Sequence, residues 1–114
     1  MEQRTAEERI GELRAEIDRI DAELVALFER RMDTARAIGC IKRENNMGIK
    51  NEYREMEVKA NCRANCKNNS YLTYAESMMK CIMGACRGIQ NADAPEYDDP
   101  WKYKYLELDP SKFL

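Results

Sequence analysis

A cationic side chain interrupts an apolar stripe in the N-terminal half of this chain. From Ile10 to Ile41, apolar residues recur at alternating spacings of three and four, which is typical of the buried face of an amphipathic helix. Arg31 stands where this pattern requires another apolar residue. A guanidinium that faces a packed surface is costly unless an anionic group meets it. We therefore expect Arg31 to mark a buried site for an acidic group.

Two further basic residues, Lys42 and Arg14, border the same stripe. Lys42 lies 11 residues after Arg31, which is close to three helical turns, so both side chains point in the same direction. Arg14 lies 17 residues before Arg31, a separation of about 25 Å along a helix axis. It cannot share a pocket with Arg31 of its own chain. In an antiparallel pair of such helices it could reach the partner's pocket, which gives two equivalent sites per pair.

The stripe belongs to the first and longest of three predicted helices. Thr5, followed three residues later by Glu8, has the pattern of a capping box, and the helix is expected to continue to about Glu44. Some 40 helical residues form a rod of about 60 Å. A compact domain of this length has a diameter of about 35 Å. The apolar stripe therefore needs a second chain, and we expect an obligate antiparallel homodimer.

The remaining helices are shorter. The second is predicted to begin near Asn51, which can cap it, and to run to about Cys66. The third is predicted to start with Ser70 as its cap and to end at Gln90. No segment shows the alternation of a strand, so the predicted fold class is all-α with three helices per chain.

Composition excludes several classes of protein. With 114 residues and a net charge of -2, the chain lacks the basic face of a general nucleic-acid binder. It has no apolar run of membrane-spanning length and no apolar core of a signal peptide near its N-terminus, so a cytoplasmic protein is expected. It also has no histidine, which removes the commonest general base and the usual nucleophile pairs.

The five cysteines give no metal or disulfide pattern. Their number is odd, no C-x-x-C occurs, and we expect buried free thiols with neither a metal nor another cofactor. Any chemistry then relies on binding and electrostatics. The cysteines are Cys40, Cys62, Cys66, Cys81 and Cys86.

Five short motifs match the pattern of one known family. They are Leu13-Arg14-x-x-Ile17-Asp18-x-Ile20-Asp21-x-x-Leu24, Glu29-Arg30-Arg31, Ala35-x-x-Ile38-Gly39-x-Ile41-Lys42, Arg54-Glu55 and the terminal Gln90. Together they extend over about residues 10 to 90, and the first helix and the Arg54-Glu55 pair carry most of the match. On these motifs the chain resembles the small all-helical chorismate mutases.

The resemblance implies an intertwined homodimer that rearranges chorismate to prephenate without a cofactor, in phenylalanine and tyrosine biosynthesis. In the family pattern Arg31, together with Arg14 from the partner chain, binds the two carboxylates of the substrate. Lys42 and Gln90 reach the ether oxygen of the breaking bond, and Glu55 holds the ring hydroxyl. The other positions that the pattern places in the pocket are Asn51, Arg54 and Cys86.

Two positions depart from the family pattern and leave alternatives open. An Asn51-Glu52 pair stands where the family usually has Asp-Pro, and Cys86 stands where a small hydroxyl residue is common. The substrate could therefore be a relative such as isochorismate, with an isochorismate-pyruvate lyase as the alternative enzyme. A non-catalytic helical dimer that binds a related metabolite or partner is the alternative outside the enzymes.

The chain beyond the resemblance is a separate C-terminal segment. We expect residues 1–90 to form the helical domain and residues 91–114 to form a tail that contains three prolines and five of the nine aromatic residues. Disordered segments are usually poor in aromatic residues. The tail is therefore expected to be partly ordered, packed on the dimer or docked to a partner protein.

Overall fold

The computed structural model describes residues 3–91, which form three α-helices and one short 3-10 turn. Helix α1 is Ala6–Glu44, α2 is Glu52–Asn65 and α3 is Leu72–Gln90, with the 3-10 turn at Asn69–Tyr71. No strand occurs among the described residues, which confirms the all-α class and the three helices. None of the helices in this part of the chain is both long and apolar enough to cross a membrane.

Helix α1 begins and ends at the signals that the sequence provides. The Thr5 hydroxyl accepts a hydrogen bond from the Glu8 backbone N–H at 3.1 Å, as a capping residue does. The helix ends at Glu44, and Asn46 follows with a φ of 54°. This left-handed conformation is one that asparagine adopts more readily than most residues, and it stops the helix.

Helix α2 is also capped as predicted. The Asn51 side-chain oxygen accepts a hydrogen bond from the Arg54 backbone N–H at 3.0 Å, and Cys66 follows the last residue of the helix. Both boundaries agree with the prediction to within one residue.

The predicted cap of α3 is wrong. Asn68, two residues before Ser70, accepts hydrogen bonds from both the Ser70 backbone N–H at 2.9 Å and the Ser70 hydroxyl at 2.6 Å. Ser70 therefore lies inside a 3-10 turn, and α3 starts only at Leu72. The amide oxygen of asparagine takes the capping role because it comes first along the chain and is an equally good acceptor.

The described residues form two compact units, and the boundary falls within α1, between Ala26 and Leu27. In the first unit, the apolar residues of the α1 stripe are about half exposed. Their exposed fractions lie between 45% and 67%. These residues are Ile10, Leu13, Ile17, Ile20 and Leu24.

The second unit contains the end of α1 together with α2 and α3. Arg63 of α2 donates to the Glu76 carboxylate of α3 at 2.9 Å, which joins these two helices. The hydrophobic core within residues 3–91 is small. Its buried members are Ala35, Cys62, Met83 and Cys86.

The cysteines are only partly buried. Cys62 and Cys86 lie in the core and Cys66 is half-buried, but Cys40 and Cys81 are exposed, so the expectation of five buried thiols is wrong. The predicted aromatic tail, residues 91–114, lies outside the described residues except for Asn91.

Replacing the unpredicted cap tests its contribution to stability. We expect Asn68→Ala to lower the free energy of unfolding by about 1 kcal/mol, because two donors of Ser70 lose their acceptor. Asn69→Ala is the matched control, and its effect should stay below about 0.5 kcal/mol. Urea unfolding followed by circular dichroism measures both variants. Equal effects of the two changes would contradict the assigned cap.

Candidate active site

A cavity of about 310 Å³ lies in the second unit, between the end of α1, the start of α2 and the end of α3. This volume is at the lower end of the range for small-molecule sites. Much of the wall is apolar, so a bound ligand would bury part of its own apolar surface against it. The apolar lining residues are Ala35, Ile38, Ile49, Val58 and Met83.

The charged residues of the wall are mostly cationic. Four basic side chains line the cavity, and Glu55 is the acidic residue among those that line it. A cavity with this excess of positive charge attracts small anions and disfavours cations. The basic residues are Arg31, Lys42, Arg54 and Arg87.

Lys42 is held in the wall by two acceptors. Its Nζ donates to the Ile49 carbonyl oxygen at 2.8 Å and lies 3.5 Å from the Gln90 Oε1 atom. An ammonium group has three N–H donors. One donor therefore remains for a ligand, and the amide N–H groups of Gln90 are beside it.

Arg31 of α1 reaches across to α3. Its Nη1 atom donates to the Cys86 Sγ atom at 2.7 Å, and the Cys86 thiol is 3.7 Å from the Met32 sulfur. Arg31 is half-buried and makes no contact with a carboxylate within residues 3–91. Its charge is therefore available to an anionic ligand.

Gln90 is fixed by the close approach of α1 to the end of α3. A Cβ atom placed on Gly39 would lie 2.8 Å from the Gln90 Cα and 3.0 Å from its carbonyl oxygen. No other residue type fits at Gly39 without a shift of α3. Arg43, one helical turn further along α1, donates to the same carbonyl oxygen at 2.6 Å. Gly39 and Arg43, on one side of α1, thus both contact the Gln90 backbone.

The start of α2 supplies the other polar residues. Asn51 uses its side-chain oxygen to cap the helix, and its NH2 group remains as a donor. Arg54 lines the cavity and also contacts the Glu57 carboxylate of its own helix. The Glu55 carboxylate is 21% exposed and contacts Arg87.

Of the eight residues predicted for the site, the structure places seven in the wall of this one cavity. The exception is Arg14, which lies in the first unit and is not a lining residue. The seven are Arg31, Lys42, Asn51, Arg54, Glu55, Cys86 and Gln90.

Arg87 is the residue of the site that sequence reasoning missed. It lines the cavity and its Nη1 atom donates to the Glu55 carboxylate. Its spacing carried a signal, because it lies three residues before Gln90 and neighbours that residue on the surface of α3. Thr34 is a further lining residue for which the sequence suggested no role in binding.

The fold and the cavity define an all-helical protein whose cation-rich cavity suits a small acidic molecule. Residues 13–91 match the family model for chorismate mutase type II, which is 79 of the 114 residues. The chain therefore belongs to this family, and the resemblance predicted from the motifs is confirmed. Comparison with curated proteins and with solved structures gives no match.

The close approach at Gly39 can be tested by adding one methyl group. We expect Gly39→Ala to lower the free energy of unfolding by about 1–3 kcal/mol, because the new Cβ would overlap the Gln90 backbone. Urea unfolding measures the change. Gly88→Ala is the matched control in α3, where an added Cβ meets nothing within 4 Å. That variant should be as stable as the parent or more stable by up to about 1 kcal/mol, and a Gly39→Ala protein that behaves like it would contradict the contact.

Proposed function

We propose that this protein is a chorismate mutase that rearranges chorismate to prephenate without a cofactor, in the biosynthesis of phenylalanine and tyrosine. The observation that carries the proposal is the meeting of Arg31, Lys42 and Gln90 in one cavity. Membership of the chorismate mutase type II family supports it.

The residues of the cavity suit a reaction that needs no nucleophile or general base. A Claisen rearrangement is intramolecular, and the substrate must be held in the compact conformer in which the reacting carbons meet. Holding that conformer removes an entropic part of the barrier. A partly apolar cavity with fixed cations on several sides is suited to hold a flexible dianion in this way.

Lys42 and Gln90 would stabilise the transition state. As the carbon–oxygen bond breaks, negative charge develops on the ether oxygen. The Nζ atom of Lys42 has a free donor, and its contact with the Gln90 Oε1 atom leaves the amide NH2 group as a second donor. Donors that are already oriented need no reorganisation during the reaction, which is where such groups gain most of their effect.

Arg31 would bind one carboxylate of the substrate. A guanidinium offers a planar pair of donors that matches a carboxylate. Its present acceptor, the Cys86 sulfur, is a weak one that a carboxylate can displace. At the other end of the ring, Glu55 would accept a hydrogen bond from the hydroxyl, with Arg54 and Asn51 beside it.

The second carboxylate would be bound by Arg14 of a partner chain in a homodimer. The apolar residues around Arg14 on α1 are about half exposed. Soluble monomers rarely expose an apolar stripe of this kind, and the core among residues 3–91 is small. Burial of two such stripes against each other, with the helices antiparallel, would cover both and carry each Arg14 to the partner's cavity.

Removal of a cation from the cavity tests the activity. We expect the parent protein to convert chorismate to prephenate in metal-free buffer, and Arg31→Ala or Lys42→Ala to lower kcat/KM by about 10²–10³-fold or more. Lys67→Ala is the matched control, because its amine also donates to a backbone carbonyl but lies outside the cavity. Chorismate loss is followed by absorbance. A folded parent protein that leaves chorismate unchanged would refute the proposal.

Product identification separates the closest alternative. Asn51 stands where the family usually has an aspartate, which removes a negative charge near the ring hydroxyl and favours testing isochorismate as well. Release of salicylate and pyruvate from isochorismate, with no prephenate from chorismate, would identify a lyase. A rise in melting temperature with chorismate but no turnover would instead identify a binding protein.

Mixing two inactive variants tests whether the sites are shared between chains. In a heterodimer of Arg14→Ala and Arg31→Ala chains, one site regains both arginines and the other loses both. We expect each variant alone to be nearly inactive and an equal mixture, after subunit exchange, to recover about a quarter of the parent activity. Size-exclusion chromatography with light scattering gives the oligomeric state. A mixture that stays inactive despite exchange, or a monomeric parent, would contradict the shared site.

A further inference from the structure

We propose that Arg87 determines which ring substituent the cavity accepts: it positions the Glu55 carboxylate and reserves it for a neutral hydroxyl rather than an ammonium group. The inference rests on the proposed function and refines it. Arg87 is a positioning residue in this role, because it acts on the ligand through Glu55.

The contact between Arg87 and Glu55 joins two half-buried charges. The Nη1 atom of Arg87 donates to the Oε1 atom of Glu55, with the two side chains 41% and 21% exposed. A carboxylate with so little access to water needs a compensating charge, and Arg87 is the cation that contacts it. The Oε2 atom of Glu55 has no hydrogen-bond donor among residues 3–91. One oxygen is therefore fixed by Arg87 and the other remains for a ligand.

The sequence of α3 leaves room for the Arg87 side chain. Side chains of an α-helix lie over the turn that precedes them, and Gly84 occupies that position. The Nη2 atom of Arg87 is 3.8 Å from the place of a Cβ atom on Gly84. A Cβ atom there would be in van der Waals contact with the guanidinium, so a longer side chain at Gly84 would compete with Arg87 for this place.

The charge balance explains the expected specificity. Because Arg87 already neutralises Glu55, a hydroxyl that donates to the free oxygen leaves the balance unchanged. An ammonium group in the same place would be repelled by Arg87 at close range, and also by Arg31 and Lys42, which contact no carboxylate within the described residues. Without Arg87, Glu55 would attract an ammonium group more strongly than a hydroxyl.

A purely structural role for Arg87 can be distinguished, because a second ion pair joins the same helices. Arg63 of α2 and Glu76 of α3 lie 2.9 Å apart, and neither residue lines the cavity. A change at Arg63 loosens the connection between α2 and α3 without altering the charge at Glu55. It is therefore the matched control for a change at Arg87.

The experiment compares chorismate with its analogue that carries an amine in place of the ring hydroxyl, on the full chain. Chorismate turnover gives kcat and KM, and inhibition of turnover gives the affinity for the analogue. We expect Arg87→Gln to raise KM for chorismate and to shift the preference toward the amine by about tenfold or more. Arg87→Lys should retain most of the parent preference, because it keeps the positive charge. Arg63→Gln should retain all of it.

A second variant guards against misfolding of the first. Gly84→Leu keeps both charges but fills the place of the guanidinium, and it should shift the preference in the same direction as Arg87→Gln. If the parent converts chorismate, two results would overturn the inference. One is an unchanged preference between chorismate and the amine in the folded Arg87→Gln or Gly84→Leu protein. The other is a shift in Arg63→Gln as large as that in Arg87→Gln. A parent protein that neither binds nor converts chorismate would refute the proposed function itself, and the inference with it.

Discussion

The site depends on one close contact between two backbones. Gly39 of α1 approaches Gln90 of α3 so closely that a methyl group would overlap the chain. Lys42 and Arg43 lie three and four residues after Gly39, so they share its side of α1 and meet the same residue of α3. Lys42 contacts the side-chain amide oxygen of Gln90, and Arg43 donates to its backbone carbonyl oxygen. A glycine and two cations thus position the donors that the proposed reaction requires.

The small core places a second constraint on the protein. Four hydrophobic side chains are buried within residues 3–91, whereas the apolar stripe of α1 in the first unit is exposed. Hydrophobic burial is the main favourable contribution to folding. In the proposed dimer the association would supply most of it, so stability would depend on protein concentration. Binding, catalysis and folding would then share one interface, because the same helix surface carries Arg14.

The sequence predicted the features that depend on local or periodic patterns. The three helices, the caps at Thr5 and Asn51, and the placement of Arg31 and Lys42 on one side of α1 follow from sequence patterns. The structure has both caps, and both cations line one cavity. The prediction that Ser70 caps α3 was wrong because Asn68, a competing acceptor nearby, accepts hydrogen bonds from both donors of Ser70.

Features that arise from contacts between helices could not be predicted in the same way. Arg87 reaches Glu55 only because α2 and α3 come together, with Gly84 beside the guanidinium. Nothing in the local sequence of α3 indicates that the Arg87 guanidinium will lie within hydrogen-bonding distance of Glu55. The contact of Gly39 with Gln90 is of the same kind, since a glycine within a helix indicates nothing about the helix that will cross it.

The sulfur that contacts Arg31 has a consequence for how a ligand would enter. A hydroxyl or carboxylate in the place of Cys86 would hold the guanidinium by a stronger hydrogen bond, which any incoming anion would have to break. The thiol is a poor acceptor, yet its contact at 2.7 Å keeps the guanidinium within the cavity. The Arg31 guanidinium is therefore already oriented toward the cavity but held only by a weak acceptor. Replacing the Cys86 sulfur with an anionic ligand would cost little free energy, so the affinity would depend mainly on the contacts that the anion itself makes.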